Sequence, residues 1–283
     1  MTMKTIAWTL GTLSLITVFL CGFFFSGCIE KEPLFVNQIE IGDTWILRTN
    51  MSRNTAQKIA DKFSRIFPYY EKLLPYPSKM NRRFKITIFE NSNDFQAYQK
   101  KYSMTHSESG FYRFELGELA LLYQGMDTTV RTLYHEAFHA YLQERIIRPP
   151  QWLNEGLAEY FEKTRTDWLS KLLVSPAKTD WANTLARMEK YGGLPDLRSI
   201  VEQDWPDRHN LTKEQYALSW SIVHFFKESA GEKRKEEFAQ YLELLYNKRD
   251  PVKAFFTVWP DIDRLNDEWQ ASIRKTVAKN FFL

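Results

Sequence analysis

The segment that most constrains this chain lies between residues 127 and 164, where two helical patterns flank Pro149-Pro150. The first runs from Asp127, its expected N-cap, to about Arg145 and carries His135-Glu136-Ala137-Phe138-His139. Residues four apart share a helix face, so both imidazoles can reach one ion about 2 Å away. Glu136 is turned roughly 100° from His135, so it can face a water on that ion without being a ligand. The second pattern starts near Gln151, ends about Thr164 and places Glu155 and Glu159 four apart. The loop between them is short, so the second helix must pack back near the first. A carboxylate from it can complete a tetrahedral set of two histidines and one glutamate with water in the fourth place, which suits one Zn²⁺ per chain. The other carboxylate can accept the remaining N–H of a ligating imidazole.

Two plainer readings compete. His135 and His139 could be a satisfied pair inside a core, and Glu155, Glu159 and Glu162 could form a solvated acidic face. The acidic face fits poorly, because Trp152, Leu153, Leu157, Tyr160 and Phe161 leave the helix little exposed circumference.

Only two cysteines occur, Cys21 and Cys28. Beyond them the chain has no thiolate ligand, no cysteine nucleophile and no disulfide, so a metal must be held by histidine and carboxylate. Of 283 residues 44% are apolar and 26% charged, which excludes disorder as the default. A net charge of +3 with the signs interspersed gives no footprint for nucleic acid.

The fold class expected is α+β, with strands and helices first and helices alone afterwards. Trp45–Arg48, Arg83–Phe89 and Glu118–Tyr123 read as strands, and Gly110–Phe114 as a loop or strand edge. Ala56–Leu74 reads as one amphipathic helix stopped by Pro75, and Asn91 or Ser92 caps a short helix to Lys101. Further helices are expected at 169–174, 181–190, 216–229, 232–246 and 263–279. The expected division is a leader at 1–27, a linker at 28–42, an α/β lobe at 43–145 and a helical lobe at 146–283.

At the N-terminus, Lys4 precedes an uncharged apolar run that lasts until Glu30. Phe25-Ser26-Gly27-Cys28 resembles a bacterial lipobox, with Phe25 standing where Leu is usual. The resemblance implies cleavage before Cys28 and lipid on its thiol; an uncleaved membrane anchor is the alternative. Either places the globular part outside the cytoplasm in a bacterial envelope. Ile29 lacks the acidic character that retains some lipoproteins at an inner membrane, which points to an outer membrane or cell surface.

Tyr134–Leu142 followed by Pro150-Gln151-Trp152-Leu153-Asn154-Glu155-Gly156-Leu157-Ala158-Glu159-Tyr160-Phe161 resembles the gluzincin zinc metallopeptidases, in particular the peptidase MA-like group. The resemblance implies a zincin-like fold, Zn²⁺ on His135, His139 and Glu155, Glu136 as general base, and Glu159 supporting His135. It also implies that Tyr216, at the start of a later helix, donates to the oxyanion. Tyr216 could instead be an ordinary aromatic buried with Trp220, and His209 and His224 are rivals for the donor role. Residues 110–118 lack the Gly-x-Met-Glu-Asn segment of aminopeptidases, so an endopeptidase is expected. Residues 115–121 are expected to form the edge strand along which an extended peptide or protein substrate pairs. The alternative is a non-catalytic lipoprotein of the same fold, acting as a binding or assembly factor.

Overall fold

The computed structural model describes residues 35–103, 107–166, 172–174, 180–203, 205 and 211–281, all within one compact unit, Pro33–Leu283. The expected leader, with Cys28, lies outside these residues, as do His106 and His209. Among the described residues no helix is long and apolar enough to cross a membrane.

The fold is α+β. Strands β1 (Asn37–Ile41) and β2 (Trp45–Thr49) form an antiparallel hairpin. Helices α1 (Arg53–Ser64) and α2 (Phe67–Leu73) lead to β3 (Phe84–Phe89), parallel to β2. Helix α3 (Ser92–Lys101), capped by the Asn91 side chain, leads to β4 (Gly110–Arg113) and β5 (Glu118–Leu122). The mixed sheet has the order β1-β2-β3-β5-β4. One face, with Trp45, Leu47, Ile86, Leu119 and Leu121, joins α1 in the main core. The opposite face sets Phe89, Phe111 and Ala120 against Phe95 of α3.

Several local expectations change. The helix expected over 56–74 breaks at Arg65–Ile66, because Pro68 lies in the first turn of α2 and its ring cannot follow a continuous helix. Residues 115–121 do not form the edge: Phe114–Leu116 make a 3₁₀ turn, and β5 pairs with β3 on one side and β4 on the other. Its run Glu118–Leu121 is buried on both faces, and the edge falls to β4. Third, Leu172–Val174 is strand β7, paired antiparallel with β6 (Thr164–Thr166), within the stretch expected as helix. A short apolar run does not distinguish the two by periodicity.

Helix α4 (Met126–Gln143) lies against β4 and β5 and, on another side, against α5 (Gln151–Glu162). Its N-cap is Gly125; Asp127 sits inside the first turn, where its charge suits the helix dipole. Around this pair stand α6 (Asp180–Tyr191), α7 (Leu197–Glu202), α8 (Lys213–His224), α9 (Glu232–Tyr246), α10 (Pro251–Val258) and α11 (Ile262–Phe281). Helix α8 starts three residues before Tyr216 through a capping box of Thr212 and Gln215. It crosses α5 closely at Gly156, where any Cβ would fall 2.3 Å from the Ser219 carbonyl oxygen. Only glycine permits that approach.

Candidate metal centre

The crossing of α4 and α5 brings together the residues that the sequence singles out. Glu155 Oε2 lies 3.6 Å from His135 Nε2 and 3.6 Å from His139 Nε2. Ligand atoms about 2.0–2.2 Å from a tetrahedral cation stand roughly 3.3–3.5 Å apart, so the three donors fit one ion with little movement. His135, His139 and Glu155 form a group able to hold a metal, with ligand atoms within 4.8 Å of one another. Glu155 and His139 are buried, at 1% and 2% exposed, and His135 is half-buried.

Each imidazole is held from behind. His139 Nδ1 lies 3.0 Å from Asn154 Oδ1. The Asn154 amide nitrogen donates to Glu155 Oε1 at 3.4 Å, which sets the amide so that its oxygen faces the imidazole. That orientation suits the tautomer with its proton on His139 Nδ1 and its lone pair on Nε2, toward Glu155. Gln151 Nε2 also donates to Glu155 Oε1, at 3.2 Å, leaving Oε2 as the oxygen nearer both imidazoles.

Behind His135 stand two carboxylates. Glu162 Oε2 is 3.1 Å from Nδ1, and Glu159 Oε1 is 3.6 Å away. Glu159 Oε2 accepts from Trp181 Nε1 at 2.5 Å. Lys163 lies 3.1 Å from Glu162 and 3.8 Å from Glu159. Burial opposes a charge on His135, but the nearby carboxylate of Glu155, the hydrogen bond to Glu162 and the charges of Glu159 and Glu136 outweigh it, raising its pKa well above the usual value. Burial pushes the Glu159 carboxyl up to about 7, with the charge of Glu162 adding to it. Carboxylates thus exceed cations in this pocket, and without a metal the site favours a proton on His135. A dication would relieve the same imbalance.

The remaining predicted residues fall on a cleft of about 250 Å³ bounded by Glu136, both imidazoles, Glu155 and Tyr216. Gly110 and Phe111 of β4, with Ser107, Glu108 and Leu211, complete its lining. Glu136 lines the cleft as well, which one helical step of about 100° from His135 allows. Tyr216 is half-buried and lies parallel to Trp181, at an interplanar angle of 10° and 6.1 Å between ring centroids. His224 stacks on Trp220 and borders a different cavity, of about 570 Å³, with Phe225 and Glu228.

Sequence reasoning assigned no role to Asn154, Glu162, Lys163 or Trp181. A signal existed for Glu162: it lies seven residues after Glu155, two turns along the same helix face. None existed for Trp181, which reaches Glu159 from a separate helix.

Together these features define an α+β chain with a largely buried cluster of two histidines and a glutamate able to hold a metal ion beside an open cleft. Residues 129–253 match a family model described as a protein of unknown function (DUF1570). That span contains every residue of the cluster together with Trp181 and Tyr216. No curated protein matches the chain.

Proposed function

We propose that the chain is a zinc-dependent metallopeptidase of the gluzincin type with a zincin-like fold, and that it hydrolyses peptide bonds. The observation that carries this reading is the convergence of His135 Nε2, His139 Nε2 and Glu155 Oε2 at the floor of a cleft that Glu136 also lines. A pure scaffold has no use for an acid placed beside the ligands but outside their set.

Zinc held by these three residues would supply Lewis acidity to a carbonyl oxygen and acidity to a water. Glu136 is placed to take the proton of the attacking water and return it to the leaving amine. Tyr216 lines the same cleft and can donate its phenolic proton to the developing oxyanion. Edge strand β4 borders the cleft, so an extended peptide can add to the sheet there. The apolar N-terminal run ending at Cys28 supports tethering to the outer face of a bacterial envelope membrane, by lipid or by anchor.

The test pairs the full chain with its Glu136→Gln variant on a peptide library, with metal content measured in both. Wild type should cleave and the variant should keep its zinc while losing roughly 10²–10⁴-fold in turnover. Zinc bound by wild type without cleavage of any peptide would overturn the peptidase reading in favour of a binding or assembly role.

A further inference from the structure

Glu155, Glu159 and Glu162 lie four and three residues apart on one face of α5, yet the last two are drawn in opposite directions. Glu162 Oε2 sits 3.1 Å from His135 Nδ1, within hydrogen-bond reach, and its other oxygen is 3.1 Å from Lys163 Nζ. Glu159 Oε1 remains 3.6 Å from the same imidazole nitrogen, too far for a hydrogen bond. Its Oε2 is engaged by the Trp181 indole N–H at 2.5 Å, and Trp181 lies parallel to Tyr216 at the cleft.

We propose, resting on the hydrolase reading, that Glu162 rather than Glu159 is the positioning residue for His135, and that Glu159 positions Tyr216 through Trp181. A carboxylate at 3.1 Å makes a directional, charge-assisted bond that fixes the imidazole's tautomer and plane. One at 3.6 Å adds charge but no direction. An indole has a single donor, so the bond to Glu159 sets how the ring is rotated. The flat face so fixed limits the rotamers open to the Tyr216 phenol. Lys163 completes the division. His135, Glu159 and Glu162 also gather ligand atoms within 4.8 Å of one another, but the ammonium group of Lys163 already lies between the two carboxylates. That pocket therefore has its own cation, and a second metal is not required there.

The experiment compares Glu162→Gln, Glu159→Gln and Trp181→Phe in the full chain. Zinc affinity is read by competition with a chromophoric chelator, and Tyr216 by the ring ¹³C signal of tyrosine-labelled protein, assigned with Tyr216→Phe. Glu162→Gln should weaken zinc by about 10–100-fold and leave the Tyr216 signal in place. Glu159→Gln and Trp181→Phe should hold zinc affinity within about threefold while shifting or broadening the Tyr216 signal, and the double variant should do no more than either single one. With zinc saturating, these two should lower kcat more than they raise KM. If Glu162→Gln fails to fold, Glu162→Asp, which keeps the charge but shortens the reach, serves the same comparison. Loss of zinc affinity in Glu159→Gln equal to that in Glu162→Gln, or a Tyr216 signal that follows Glu162 instead of Glu159, would overturn the assignment. A wild-type protein without peptidase activity would sink the hydrolase reading alone, because the zinc and tyrosine measurements need no turnover.

Discussion

Replacing Gly156 with alanine sets two effects of opposite sign against each other. In an uncrowded helix interior the exchange would stabilise the protein by about 0.8–1.0 kcal/mol, the usual cost of glycine there. At this crossing the added Cβ would fall 2.3 Å from the Ser219 carbonyl oxygen, and 2.8 Å from both the Ser219 carbonyl carbon and Val223 Cγ2. The first two contacts are backbone and cannot rotate away. To restore an ordinary separation, α5 and α8 must part by about 1 Å. Forcing an extra methyl into a close-packed interior costs about 1–3 kcal/mol. The net expectation is therefore a loss of up to about 2 kcal/mol, because overpacking offsets or outweighs propensity. Glu155 is the adjacent residue, and its Oε2 must stay near both imidazoles, each 3.6 Å away. Sites of this kind tolerate only about 0.5 Å of misplacement, so zinc affinity should fall with stability. Urea unfolding of the metal-free protein and chelator competition measure the two effects separately. A variant as stable as wild type, with unchanged zinc affinity, would refute the claim that the helices touch at Gly156.

Two further outcomes follow from buried polar groups that do not line the cleft. Burial raises the phenol of Tyr141 to about 12 and also raises those of Tyr70, Tyr98, Tyr160 and Tyr241. Folding thus holds these protons more tightly than the unfolded chain, whose phenols titrate near 10. The stability they contribute is complete below about pH 10 and lost as pH rises toward the folded values. Melting temperature should therefore drop steeply between about pH 10 and 12 while tyrosinate absorbance rises, and a flat profile would contradict the burial. Glu144, 2% exposed at its side chain, accepts from Arg82 Nε at 2.9 Å and from Ser78. Glu144→Ala should cost about 3 kcal/mol in chemical denaturation. That is the low end for breaking a buried pair, because Arg82 keeps its bonds to Tyr112 and Phe114.

What could be read from the sequence follows the range of each signal. The two histidines and Glu155 were legible because helical periodicity and a short loop fix where such residues point, and the structure brings their donor atoms together. Strands β2, β3 and β5 were legible from alternation or an apolar run. The inner position of β5 was not, since which neighbour pairs with which is decided by the crossover through α3 and by the return of β4. Strand β1 fell within a stretch expected as linker, because its Asn37–Ile41 pattern is half-polar and gains its burial by pairing with β2. Trp181 was invisible for a related reason: its contact with Glu159 spans 22 residues and joins two helices that no local pattern relates. Asn154 stood within the segment carrying the family resemblance, yet its role depends on His139 of the neighbouring helix.

The central claim is that α4 and α5 converge two imidazoles and one carboxylate on a single zinc ion. Zinc K-edge absorption on the full chain, after loading and removal of excess metal, tests it most directly. The expected result is one zinc per chain bound by two imidazole nitrogens and one or two oxygens at about 2.0–2.2 Å, with the imidazole signal or the bound zinc reduced in His135→Ala and in His139→Ala. Substoichiometric metal, or an oxygen-only shell that both variants leave unchanged, would contradict it.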